Sequence, residues 1–178
     1  LQTNLFVSLI EGRVDEGEYS KFVDSYKIDL KGPYYCCAVF HTSTHHVPEN
    51  MEPLLLSMSV EREIKERIAE RINCREFIYL GNTVLIIELS SKEKMVEFTD
   101  ICDKFCKWVN RVIGAVVTAG IGRMCDNILN INSSYEGARE AVSYRVLYGT
   151  NRAINIEEIA PNEQNMTIQS EDSKMHDL

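Results

Sequence analysis

The 178-residue sequence lacks most features that fix a protein's class at once. No window approaches the roughly 20 apolar residues needed to cross a bilayer, and no secretory signal stands at the N-terminus. Cations are short: 19 Lys and Arg against 27 Asp and Glu give a net charge of −8. That excludes nucleic-acid binding through a broad basic surface, because phosphate neutralisation dominates such affinity. Nucleophile elbows, Walker sequences and H-E-x-x-H are missing, and no acid, base and nucleophile converge in the pattern. Internal repeats and low-complexity runs are missing too. The six cysteines do not follow the spacing of a small secreted disulfide framework. Cys36 and Cys37 are adjacent in an apolar run, and Cys102 and Cys106 lie four apart on a helical pattern. All four read as small buried hydrophobes, and the expected compartment is the reducing cytoplasm.

What remains is an ordinary globular composition, 44% apolar and 26% charged. The length suits one domain, or one domain with an appended element, and can bury a core without disulfides or metals. The start at Leu1 suggests a segment of a longer chain. Residues 3–12 read as a short helix closed by Gly12, and a second helix places Tyr19, Phe22, Val23 and Tyr26 on one face. YYCCAVFH, residues 34–41, is a buried strand, followed by a polar loop. A helix from Ser59 carries Val60, Ile64, Ile68 and Ile72 at four-residue spacing, with Glu61–Lys65 and Glu63–Arg67 pairs on its solvent side. REFIYL and TVLIIEL are strands joined across Gly81–Asn82. Ser90 and Glu93 are a candidate capping box for a helix burying Met95, Phe98, Cys102, Phe105 and Val109. AVVTAGIG is the next strand. Ser133 and Glu136 form a second candidate box, for a helix with Tyr135, Ala138, Val142 and Val146 on one face, Arg145 flanking it and Gly149 beyond its end. RAINI is a last strand. The order β-α-β-β-α-β, then α-β, predicts an α+β, ferredoxin-like fold: a mainly antiparallel sheet with packed helices, preceded by N-terminal helices. Residues 1–30 form the helical lead-in, 31–160 the α+β domain, and 161–178 a polar linker or tail.

Three constellations and one lone leucine stand out. VTAGIGR brings Gly120 and Gly122 to a strand end, where glycine lets a backbone approach phosphate. The third glycine of a dinucleotide fingerprint is missing, so a bend or close packing accounts for the pair. His41, His45 and His46 cluster after the first strand but lack the spacing of a metal site. Glu97, Asp100 and Asp103 read as a solvated helix face. Leu147 falls opposite its helix's apolar stripe, as an exposed leucine or a partner contact.

The segment VTAGIGR…SSYEGAREAVSYRVLYGTNRAINIEEI resembles the degenerate GGDEF-like domain of AraC-type transcription regulators. LFVSLIEG and YYCCAVFH resemble its opening, so the likeness covers roughly residues 5–159. In those proteins the domain precedes a helix-turn-helix module. The frame is distantly similar to active diguanylate cyclases, whose catalytic groups do not carry over. The hairpin that would hold G-G-D-E-F reads Leu80-Gly81-Asn82-Thr83-Val84, with Asn82 and Thr83 in place of the acidic pair. The first strand ends Val39-Phe40-His41-Thr42, without the metal-binding aspartate. In the late helix the enzymes' aspartate and lysine are Arg139 and Val146, while the alanines persist as packing positions. The resemblance therefore implies a cytoplasmic, non-enzymatic regulatory, signal-relay or dimerisation domain with no cofactor and no metal. Its partners would be a second copy in a homodimer, an upstream sensor or receiver and a downstream helix-turn-helix domain. The segment itself would touch neither nucleic acid nor membrane. The alternative is an effector sensor whose vestigial nucleotide cleft is bordered by His41, Asn82 and Gly120. Leu147 is the candidate interface residue.

Overall fold

The run YYCCAVFH becomes the central strand of the sheet, as its unbroken burial requires. In the computed structural model, which describes residues 2–159, β1 (Tyr34–Thr42) is flanked on one side by β3 (Asn82–Leu89) and on the other by β4 (Val117–Ile121), both antiparallel. β2 (Cys74–Tyr79) pairs antiparallel with β3, and β5 (Arg152–Asn155) runs parallel to β4. The order is β2-β3-β1-β4-β5. With α3 (Pro53–Arg67) after β1 and α4 (Glu93–Ile113) after β3, the first four strands make the expected ferredoxin-like unit. The tail expected at 161–178 lies outside the described residues.

Alternation along the strands sends side chains to two cores. Cys36, Ala38 and Phe40 face one way with Leu85 and Ile87, beneath Leu56, Val60 and Ile64 of α3 and Phe98, Cys102 and Val109 of α4. Cys37 and Val39 face the other way with Val84 and Ile86. That second face is covered by α1 (Gln2–Ile10) through Leu5, Phe6, Leu9 and Ile10, and by α5 (Ile131–Ser143) through Ile131, Tyr135, Ala138 and Val142. α1 is thus part of the main packing. α2 (Glu16–Tyr26) buries none of its residues fully and lays Tyr19, Phe22, Val23 and Tyr26 against the same core. Asp15 caps it, accepting from the Glu18 N–H at 2.7 Å.

Several local expectations change. α3 starts at Pro53, not Ser59: proline has its φ preset for a first helical position and lacks only an N–H that would be unpaired there. The helix ends at Arg67, and a 3-10 turn, Ala69–Arg71, follows. Ile72 therefore lies beyond the helix, packed at the core's edge. The β2–β3 turn is Leu80–Gly81, both at positive φ (50° and 79°), closed by the pair Tyr79 and Asn82. That is the two-residue hairpin geometry with left-handed central residues. Neither capping box forms. Lys92 precedes α4 with no side-chain cap, and a 3-10 turn, Ile128–Asn130, precedes α5, with Asn127 accepting from the Leu129 N–H.

The late helix breaks at Tyr144, whose N–H bonds to Ala141 O, and a separate turn, α6 (Arg145–Tyr148), follows. The Ser143 hydroxyl donates to the Glu140 carbonyl, a back-bond that weakens a helical ladder. Val146 is consequently 80% exposed instead of sharing the buried stripe. All six cysteines are free thiols, and Cys36, Cys37, Cys102 and Cys106 are fully buried, as expected.

Candidate functional site

β1 runs towards the end of the sheet at which β2 finishes and β3 begins. That end holds two of the three residues expected to border the cleft. His41 and Asn82 point to the α5 side by strand alternation. Nδ1 of His41 lies 3.2 Å from Oδ1 of Asn82, so the imidazole N–H donates and the amide oxygen accepts. His41 is half-buried. Burial lowers its proton affinity below the ordinary histidine value, the nearby Arg145 charge lowers it further, and the Asn82 bond opposes both without reversing them. The imidazole is neutral around pH 7.

Gly120 departs from the expectation that it borders this cleft. It is buried inside β4, between Val39 of β1 and Ile154 of β5. A Cβ built on it would overlap the Ala138 carbonyl oxygen and stand 2.7 Å from Val142 Cγ2. On Gly122 it would overlap the Ser134 carbonyl oxygen and stand 2.7 Å from Ser134 Oγ. The glycines let α5 lie directly on β4, with Gly137, Ala138 and Ala141 as the small residues facing them. Close packing of helix on sheet is therefore what they do. Ser134 adds a tie between α5 and β1, its Oγ accepting from the Cys37 N–H at 2.8 Å.

The other candidates separate. His45 and His46 are exposed in the loop after β1, with Ser43 Oγ 3.0 Å from His46 Nδ1, and they do not converge with His41. Glu97 and Asp100 are exposed and paired with Lys94 and Lys104. Asp103 does more than the expected solvated face. Its Oδ1 accepts from the Ala153 N–H at 3.0 Å, joining α4 to β5. Burial would raise its pKa, but hydrogen bonds from Lys107 and Ala153 outweigh this and hold it below the usual aspartate value. Leu147 is 73% exposed on α6, as its position opposite the apolar stripe implied. Sequence reasoning missed Arg145 as a neighbour of His41. The signal was available in the four-residue step from Ala141, but it pointed to a continuous helix.

Two surface hollows lie away from His41 and Asn82. One, about 720 Å³, runs along α3 past Leu55, Met58 and Arg62. The other, about 570 Å³, lies between α4 and β5 around Asp103 and Asn151.

A ferredoxin-like sheet with α5 laid on Gly120 and Gly122, and a hairpin beside the end of β1, is compatible with a GGDEF-like domain. The sequence profile described as GGDEF-like domain matches residues 11–144. The chain belongs to the GGDEF-like domain family, which points to a regulatory or signalling role. No curated protein matches it at a significant level. Among the described residues, no helix is long and apolar enough to cross a membrane.

Cyclases of this fold imply magnesium, and the residues present do not fit it. The strand ends offer His41, Thr42, Asn82 and Thr83. Magnesium requires octahedral oxygen ligands, with carboxylates to balance its charge. His41 and Asn82 are neutral and bonded to each other. Thr83 points to the opposite face and is buried. No metal-dependent step follows from this set.

Proposed function

We propose that this domain is a non-catalytic regulatory module of an AraC-type transcription regulator. It relays a signal, or supports dimerisation, between an upstream sensor or receiver and a downstream helix-turn-helix module. The observation that carries this is the His41–Asn82 hydrogen bond, which occupies the strand ends where phosphoryl transfer would need carboxylates and their metal ions. The SSYEGAREAVSYR…GTN pattern supports the AraC context, and the net charge of −8 suits a segment that leaves DNA to another module. Isothermal titration calorimetry with GTP and magnesium tests the loss of the substrate site. No metal-dependent heat is expected. Saturable binding that vanishes with a chelator would count against the proposal.

The second role is effector sensing at the same strand ends. A half-buried imidazole beside Arg145 favours it, since such a pair can hold a small polar ligand. Thermal stabilisation by a nucleotide or metabolite, lost in Asn82→Ala, supports sensing. Silence across a broad library removes it.

A further inference from the structure

Ten large apolar side chains are exposed among the described residues. Their placement is uneven. Strand and helix directions put the start of α3, the β2–β3 turn, the last turn of α4 and α6 all at one end of the domain, the end reached by the C-terminus of β1. Nine of the ten lie there, including Leu54, Leu55, Leu80, Val112, Val146 and Leu147. Only Val96, at the other end of α4, does not. Scattered apolar residues are normal on a surface, whereas concentration at one end marks an interaction site.

Leu80 adds an independent observation. It is 71% exposed and sits in the left-handed region, φ 50°, at the hairpin tip. Glycine or asparagine would adopt that conformation with less strain, and either would remove an apolar side chain from water. Local folding therefore gives no reason for leucine at this position. A contact made by its side chain does.

We infer that this end of the domain is the face on which a second copy of the chain docks. Charge and area favour a copy. Glu49, Glu52 and Glu140 at this end are balanced by Arg111, Arg145 and Arg152, so it is close to neutral although the chain carries −8. Two copies meeting elsewhere would bring acidic surfaces together, while meeting here they would not. Nine side chains at roughly 50–100 Å² of exposed apolar surface each supply several hundred Å² per copy. Each partner in a standard interface contributes about 800 Å². This deepens, and rests on, the dimerisation role proposed above.

The test is sedimentation velocity of the whole 178-residue chain over a wide concentration series, with Leu80→Asn, Leu147→Asp and Val96→Asp. Leu80→Asn relieves backbone strain, so its melting temperature should match or exceed wild type. A reversible wild-type dimer is expected, weakened about tenfold or more by Leu80→Asn and Leu147→Asp and unchanged by Val96→Asp. If the dimer ignores both face variants, or Val96→Asp weakens it equally, the face is wrong while dimerisation stands. A wild-type chain that stays monomeric throughout overturns both the face and self-association by this domain.

Discussion

Replacing Gly120 by alanine adds one methyl group at the tightest point of the helix–sheet contact. The new carbon would overlap the Ala138 carbonyl oxygen and lie 2.7 Å from Val142 Cγ2 and 2.9 Å from Val142 N. Two of the three atoms it meets are helix backbone, so a rotamer change cannot make room. α5 would have to retreat by more than an ångström, loosening Tyr135, Ala138 and Val142 in the core and straining the bond from the Cys37 N–H to Ser134. Overpacking a dense core costs about 1–3 kcal/mol, and the rigid obstacle puts Gly120→Ala at the upper end, about 3 kcal/mol. With a urea m-value near 2 kcal/mol/M, the midpoint should fall by roughly 1.5 M. Gly122→Ala meets Ser134 backbone and should behave alike. Gly137→Ala is the control: its new carbon would sit 3.3 Å from Ile156 Cγ2. The helix-interior gain of about 1 kcal/mol offsets that pressure, leaving it within about 1 kcal/mol of wild type. Midpoints for Gly120→Ala and Gly122→Ala within ~0.2 M of wild type would refute the packing role of these glycines.

Asp103→Ala removes the acceptor for the Ala153 N–H and should destabilise by about 1–3 kcal/mol, with faster amide exchange at Ala153 as the local signature; normal protection there would contradict the tie between α4 and β5. His41 should titrate below about 6.5 in an NMR pH series, and Asn82→Ala should lower it further. A histidine with a depressed folded value contributes stability that is complete above the unfolded pKa and is lost as pH falls through the folded one, so His41 adds to acid destabilisation below about pH 6.5; a value at or above 6.5 would contradict its placement. Burial pushes the Cys36 and Cys106 thiols up to about 12 and Cys125 to about 11, so a disulfide reagent at pH 8 should label the native chain slowly and all six thiols in urea; rapid stoichiometric labelling of native protein would count against the burial described.

The sheet was legible because its strands are long and their surroundings simple. YYCCAVFH and TVLIIEL carry unbroken runs of apolar residues, 34–40 and 84–87, which a strand covered on both faces explains, and their order with the helices between them specifies the topology. Boundaries failed where a local signal had two meanings. Pro53 reads as a breaker from the N-terminal side and as a first helical residue from the C-terminal side. Val146 follows Val142 by four residues, a spacing that signifies one face only while the helix continues. The site was legible by subtraction: missing carboxylates at residues 41–42 and 82–83 are visible in the letters, whereas the bond that joins His41 to Asn82 depends on strand register. Gly120 was ambiguous because close approach serves a phosphate and a helix equally. Only the position of α5 decides between them.

Loss of chemistry is the central claim, and turnover tests it most directly. Purified chain at high concentration is incubated with GTP and either magnesium or manganese, and both pyrophosphate and cyclic dinucleotide are measured against a chelated control. Neither product should exceed the control at any protein concentration. Metal-dependent formation of both, rising with protein and lost in Asn82→Ala, would show that the strand ends still catalyse phosphoryl transfer and that the domain is an enzyme.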